Sequence, residues 1–257
     1  MAKTKSIAVA GKGGTGKSTL AALLITELCS RNEGPVLAVD ADPDSSLGTL
    51  LGIEEAQSIG DLREEVRKNF MNFPAGMTKA SYVEAGLHEI IEEAKGFDLM
   101  TMGKGEGSGC YCYLNSLIKK FSDDLAPSYP WLVMDNEAGL EHLSRRTSVD
   151  IDTMIIVVTE NPLSFGSASR IKEITDSISD RIRNRYLITN MVKEERLPLV
   201  KKRLSELELE QLCDIPYDSQ LEEIIFKGES LSNLSDSPVL ECIDNILDRI
   251  GGNNGNS

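Results

Sequence analysis

Basic residues are in short supply: 27 Lys and Arg stand against 41 Asp and Glu, a formal net charge of −14. A phosphate backbone or an anionic membrane calls for a concentrated basic face, so neither nucleic acid nor membrane is expected as a partner. An acidic average is compatible with a local basic patch. Long apolar runs are missing as well, none approaching the ~20 residues needed to cross a bilayer. The opening MAKTKSIAVA passes straight from two lysines into a short apolar run, without the longer apolar region and cleavage site of a secretion signal. Cysteine is sparse, at five residues. In a chain without a signal these are expected in a reducing, cytoplasmic setting, serving packing, metals or redox chemistry rather than staples. Histidine is sparser still: His88 and His142 are isolated, the setting in which histidines usually pack or bond at the surface.

What is present is an ordinary globular composition, 40% hydrophobic and 26% charged over 257 residues, enough to bury a full core. Nearly continuous apolar runs at Ser6–Ala10, Val36–Asp40, Phe97–Met102, Trp131–Asp135, Thr153–Val158 and Tyr186–Thr189 read as strands covered on both faces of a parallel sheet. Helical patterns occupy Ser18–Cys29, Val83–Ala94, Tyr113–Phe121, Ser167–Ile178 and Pro238–Ile250. In the last, Val239, Leu240, Ile243, Ile246, Leu247 and Ile250 share one stripe and should dock on the core. The alternation predicts a doubly wound, mostly parallel α/β fold. Residues 1–250 are expected to form a single domain, with 251–257 (GGNNGNS) a flexible tail.

Residues 11–18, GKGGTGKS, satisfy G-x-x-x-x-G-K-[ST] between a strand and a helix, the pattern of a phosphate loop. Gly11, Gly13, Gly14 and Gly16 allow a tight turn and close backbone approach. Their N–H groups and the helix N-terminus then face an anionic triphosphate. Lys17 should bridge the β- and γ-phosphates of ATP and the Ser18 hydroxyl should ligate Mg²⁺. Thr15 and Thr19 complete the expected nucleotide contacts. Lys12 gives G-K-G-G-x-G-K-[ST], which resembles the deviant Walker A P-loop ATPases: the division and partition ATPases, the arsenite-pump ATPase and the nitrogenase iron protein. The resemblance implies that Lys12 reaches the partner's phosphates across a nucleotide-sandwiched dimer; a solvated loop lysine is the plainer reading.

Further carboxylates close two strands. In Asp40-Ala41-Asp42-Pro43, a carboxylate beside the phosphate loop can hold a Mg²⁺ water or orient the attacking water; the family's first switch favours Asp42, and an Asp-Pro turn is the alternative. Asp135 ends an apolar strand as a Walker B aspartate does. By resemblance, Asn136–Gly139 is the second switch, with Gly139 sensing the γ-phosphate. Asn190 sits where relatives bond the adenine, or else caps a turn.

Cys110 and Cys112, in Gly-Cys-Tyr-Cys, would project to one side of an extended segment and supply half of a tetrahedral thiolate site. A two-fold dimer would supply the other half. Buried cysteines are also common on their own. Cys29, Cys213 and Cys242 are expected in the core. Together with Asp135-Asn136-Glu137-Ala138-Gly139-Leu140-Glu141-His142-Leu143-Ser144-Arg145-Arg146, the cysteine loop is similar to that of the nickel-handling maturation ATPases, the CooC-type proteins that mature carbon monoxide dehydrogenase and the related acetyl-CoA synthase. The likeness runs from the phosphate loop to Ile215–Asp218. It implies a homodimer that binds Ni²⁺ through Cys110 and Cys112 of each subunit, uses ATP to control dimerisation, and delivers nickel to a client enzyme. Zn²⁺ fits the same thiolates. A partition or division ATPase, or an iron-sulfur electron donor, would share the phosphate loop.

Overall fold

The computed structural model describes residues 3–68, 76–104, 120–121, 123–136 and 150–252. Eight strands form one sheet in the order β3-β4-β2-β5-β1-β6-β7-β8: β1 Lys5–Gly11, β2 Val36–Ala41, β3 Glu92–Ala94, β4 Phe97–Thr101, β5 Trp131–Asn136, β6 Ile151–Val158, β7 Ile182–Thr189 and β8 Glu210–Asp214. All neighbours run parallel except β3, which pairs antiparallel with β4 at one edge. The doubly wound α/β architecture expected from the sequence is the one found.

Strand side chains alternate between faces, so a strand buried on both sides feeds two cores. Ala8, Ala10, Leu132, Met134, Ile156 and Val158 pack on one face, against α3 (Ile59–Lys68), α4 (Lys79–Glu89), α5 (Pro162–Ser177) and α6 (Leu197–Leu204). Ile7, Val9, Trp131, Val133, Ile155 and Val157 pack on the other, against α1 (Lys17–Ser30), α2 (Leu47–Leu51), α7 (Ser219–Lys227) and α8 (Pro238–Gly252). In α8, Val239, Ile243, Ile246, Leu247 and Ile250 are buried and Leu240 is half-buried against the same core, as its stripe predicts. Burying one such side chain contributes about 1.5–3 kcal/mol. Among the described residues no helix is long and apolar enough to cross a membrane.

Three expectations are corrected. The helical pattern over 83–94 splits: α4 ends at Glu89 and Glu92–Ala94 become β3, because an edge strand only needs a partner along one side and β4 offers its free edge. The strand β8 went unrecognised, since Glu210–Asp214 is exposed to half-buried and carries no apolar run. The expectation of unbridged cysteines also fails. Cys213 at the end of β8 and Cys242 on α8 form a disulfide, with Cα atoms 6.5 Å apart and a sequence separation of 29. Both lie in the α8-side core, where the helix docks across the last strand, a juxtaposition no local pattern announces. Cys29 is the free thiol of the described residues; its Sγ donates to the Gly96 carbonyl and burial pushes its pKa up, so it is a poor nucleophile. The expected helix Tyr113–Phe121 lies almost wholly outside the described residues.

Candidate functional site

Because the strands are parallel, the loops following β1, β2, β4, β5, β6, β7 and β8 all emerge at one edge of the sheet, where doubly wound folds bind ligands. β1 is central, flanked by β5 and β6, so its loop stands at the middle of that edge. Residues 12–16 turn from β1 into α1, whose first turn contains no acidic side chain. The positive end of the helix is thereby left for an anion. The Thr15 hydroxyl and N–H both return to the Lys12 carbonyl, at 2.8 and 3.2 Å, and this closes the loop. Asn190, just after β7, holds it from outside by donating Nδ2–H to the Thr15 carbonyl at 3.0 Å.

Three glycines are required by geometry, Gly11 and Gly16 by close contacts and Gly14 by its φ of +78°. A Cβ on Gly11 would lie 2.6 Å from the Val157 carbonyl oxygen, and one on Gly16 would lie 2.4 Å from Asn190 Nδ2. Gly16 also has φ of +86°, a left-handed conformation costing other residues about 1–2 kcal/mol. Gly13 and Gly14 are exposed and an added Cβ would meet nothing; there the backbone stays bare toward solvent. Gly16→Ala is expected to lower unfolding stability by about 1–3 kcal/mol and to break the Asn190–Thr15 bond. Urea denaturation would measure the first, and weakened nucleotide binding would report the second.

Charges gather behind this loop. Lys17 is buried, with Nζ 3.8 Å from Asp42 Oδ2. Asp40 and Asp135 are opposite one another in the β2–β5 register and both are fully buried. Burial, then the charge of Asp135, raises the Asp40 pKa to about 7, although N–H bonds from Leu47 and Asp42 oppose the rise. Burial raises Asp135 to about 6, while the Ser18 hydroxyl and the Lys17 ammonium pull the other way. Ser18 favours the Asp135 charge without closing a hydrogen bond, and both Asp135 oxygens are left without a partner among the described residues. Two orphaned carboxylate oxygens beside a serine hydroxyl form a donor set that suits a hard divalent cation such as Mg²⁺. Asn136 is buried next to it, donating Nδ2–H to the Val9 and Met134 carbonyls with Oδ1 unpartnered.

The structure thus brings Lys12, Lys17, Ser18, Asp42, Asp135 and Asn190 to one edge. Gly139, Cys110 and Cys112 lie outside the described residues; the chain that leads toward the cysteines leaves the C-terminal end of β4 at the same edge. Asp218 caps α7 by accepting the Leu221 N–H at 2.8 Å and also accepts the Ser237 hydroxyl at 2.7 Å, a structural use of the loop after β8. Of the two carboxylates in Asp40-Ala41-Asp42-Pro43, the sequence favours Asp42, and the structure shows Asp40 to be the fully buried one. A carboxylate inside an apolar strand end was the available signal, because such a group is buried only at a cost.

The sequence profile of the CobQ/CobB/MinD/ParA nucleotide binding domain matches residues 6–231. An ATP-binding protein of Methanocaldococcus jannaschii is 40% identical over 247 residues, covering 95% of this chain and 97% of that protein. The carbon monoxide dehydrogenase accessory protein CooC of Rhodospirillum rubrum is 27% identical over 268 residues, covering 97% and 98%. Among solved structures, the MinD cell division protein of Aquifex aeolicus superposes with a TM-score of 0.70 at 22% identity, covering 97% of both chains; this likeness speaks for the fold. The profile match, the archaeal relative and the phosphate loop between β1 and α1 agree: the chain belongs to the CobQ/CobB/MinD/ParA family of P-loop nucleotide-binding proteins.

Proposed function

We propose that this protein is an ATP-hydrolysing nickel metallochaperone that dimerises with nucleotide and hands Ni²⁺ to an enzyme of the carbon monoxide dehydrogenase or acetyl-CoA synthase system. The observation that carries the reading is the Gly-Cys-Tyr-Cys sequence at residues 109–112, which follows β4 in the chain. The likeness to CooC along nearly the whole chain supports it.

In this reading the loop 11–18 holds the triphosphate, with Lys17 on the β- and γ-oxygens and Asn190 near the adenine. Ser18 and Asp135 would hold Mg²⁺, which when bound neutralises charge on the phosphate oxygens. Asp42 orients the attacking water. Lys17 lies 3.8 Å from Asp42, so a triphosphate held by the loop competes with that carboxylate for the ammonium. Lys12, half-buried, reaches to the partner's phosphates and closes the dimer. Closure draws together two Cys110–Cys112 pairs as one thiolate site for the cargo ion, Ni²⁺ or Zn²⁺. Hydrolysis removes the γ-phosphate contact, and the dimer relaxes and gives up the metal. The polar side of α8 carries Glu241, Asp244 and Asp248, with Arg31 pairing to the last two, which suits neither an anionic membrane nor DNA.

Lys12→Ala tests the reading directly. Wild type loaded anaerobically with Ni²⁺ is expected to form ATP-dependent dimers and to change its rate of nickel transfer to a competing chelator by at least about tenfold with Mg-ATP, a coupling of ordinary size. Lys12→Ala should bind nucleotide, remain monomeric with ATP on size exclusion, and lose the ATP effect on transfer. Dimers that persist in the variant would make Lys12 a bystander, and transfer indifferent to ATP in wild type would remove the chaperone reading.

A further inference from the structure

Asp40 is completely buried at the end of β2, an expensive place for a carboxylate unless its oxygens are bonded. What they bond is specific. Oδ1 accepts the N–H of Asp42 at 3.1 Å and Oδ2 accepts the N–H of Leu47 at 3.0 Å. Those two donors bracket residues 42–46, the segment on which Asp42 meets Lys17. Leu47 opens α2, whose preceding residue Ser46 makes no side-chain cap, so Asp40 satisfies an amide that the helix leaves open.

The anchor itself is rigid. Asp40 pairs in register with Thr101 of β4 and Asp135 of β5, and its carbonyl accepts the Met102 N–H at 2.8 Å. By contrast, other bonds of the loop are internal to it: Ser45 N–H to the Asp42 carbonyl at 3.0 Å and Asp44 N–H to Asp42 Oδ1 at 3.1 Å. Internal bonds keep the loop's shape but move with it. The Asp40 carboxylate ties that shape to the sheet.

We propose that Asp40 is a positioning residue for nucleotide hydrolysis: its carboxylate clasps both ends of residues 42–47 and so sets where the Asp42 carboxylate stands relative to the phosphate loop. The proposal rests on the reading of Asp42 as the group that orients the attacking water. Asp40 touches no reacting atom and acts through Asp42 alone. Its effect therefore falls on the chemical step rather than on nucleotide affinity. The Met102 contact places the start of the loop after β4 on the same residue, so that loop and the first switch share a fixed point.

A double-mutant cycle tests this on the full chain. Asp40→Asn preserves volume but offers one acceptor oxygen in place of two, setting an NH₂ against one of the two N–H donors. It is expected to lower kcat by about 10²-fold, the scale of a small misplacement, with KM for ATP within about threefold. Asp42→Asn is expected to lower kcat at least as far, and the double variant no further than Asp42→Asn alone, because both act through one group. Additive losses would overturn the clasp while leaving the Asp42 reading intact; an unchanged kcat in Asp42→Asn would overturn that reading instead. A raised KM with normal kcat in Asp40→Asn would make Asp40 merely structural. Should that variant not fold, hydrogen exchange on wild type decides: protected Asp42 and Leu47 amides support the clasp, and exchange at open-loop rates overturns it.

Discussion

Lys17→Ala is expected to abolish ATP hydrolysis, with kcat/KM falling by on the order of 10³-fold or more, the scale of removing a cation from phosphoryl transfer. Two effects combine. The γ-phosphoryl loses the ammonium that meets its developing charge. The site also loses the buried cation nearest its carboxylates: Lys17 lies 3.8 Å from Asp42 and is one of the influences holding down the Asp135 pKa. Without it Asp135 loses one of the groups that favour its charged form, and its pKa rises further. Lys17→Arg should not restore activity, because a planar guanidinium does not fit a slot shaped for an ammonium and its stem. Phosphate release under saturating ATP, with circular dichroism to confirm folding, measures the result. Turnover equal to wild type would remove the assignment of the phosphate loop as a hydrolytic centre.

Cys110→Ser/Cys112→Ser is expected to take nickel from about one ion per dimer to none after anaerobic loading, the stoichiometry of a four-thiolate site shared by two chains. Serine keeps the shape and removes the soft donor: an alkoxide is not available at neutral pH, and a neutral hydroxyl cannot compete with buffer for the ion. The background for this test is favourable. Among the described residues no cluster of three His, Cys, Asp or Glu side chains is arranged to hold a metal, Cys213 and Cys242 are bonded to each other, and the Cys29 thiol is engaged with Gly96. Basal ATP hydrolysis should persist, since the phosphate loop does not depend on the pair. Elemental analysis per dimer gives the answer; equal metal in both proteins would reduce Cys110 and Cys112 to structural cysteines and leave a nucleotide-dependent protein with another client.

Much of this protein was legible because its signals are local. Six strands were marked by apolar runs that only a sheet covered on both faces explains, and the glycines at 11, 14 and 16 announce a turn that tolerates little else. β8 was not, because an edge strand with one covered side has no need of a continuous apolar run. β3 was absorbed into a helical pattern for a related reason: three residues carry too few side chains for period 2 to outvote period 3.6. The Cys213–Cys242 link follows from how α8 crosses β8, which is a property of the packed chain.

The sequence by itself determined the phosphate loop, the parallel sheet and the family, since each rests on residues adjacent in the chain or repeating with the period of one element. Only the tertiary structure decided how Asp40, Asp42, Asp135 and Lys17 stand toward one another. Those residues come from the ends of two strands, β2 and β5, and the start of one helix, and parallel strand register is what carries them to the same edge. The Asp40 carboxylate could be seen in the sequence, but the two amides it holds could not, because a hydrogen bond across a loop exists only once both ends of that loop are pinned to the sheet.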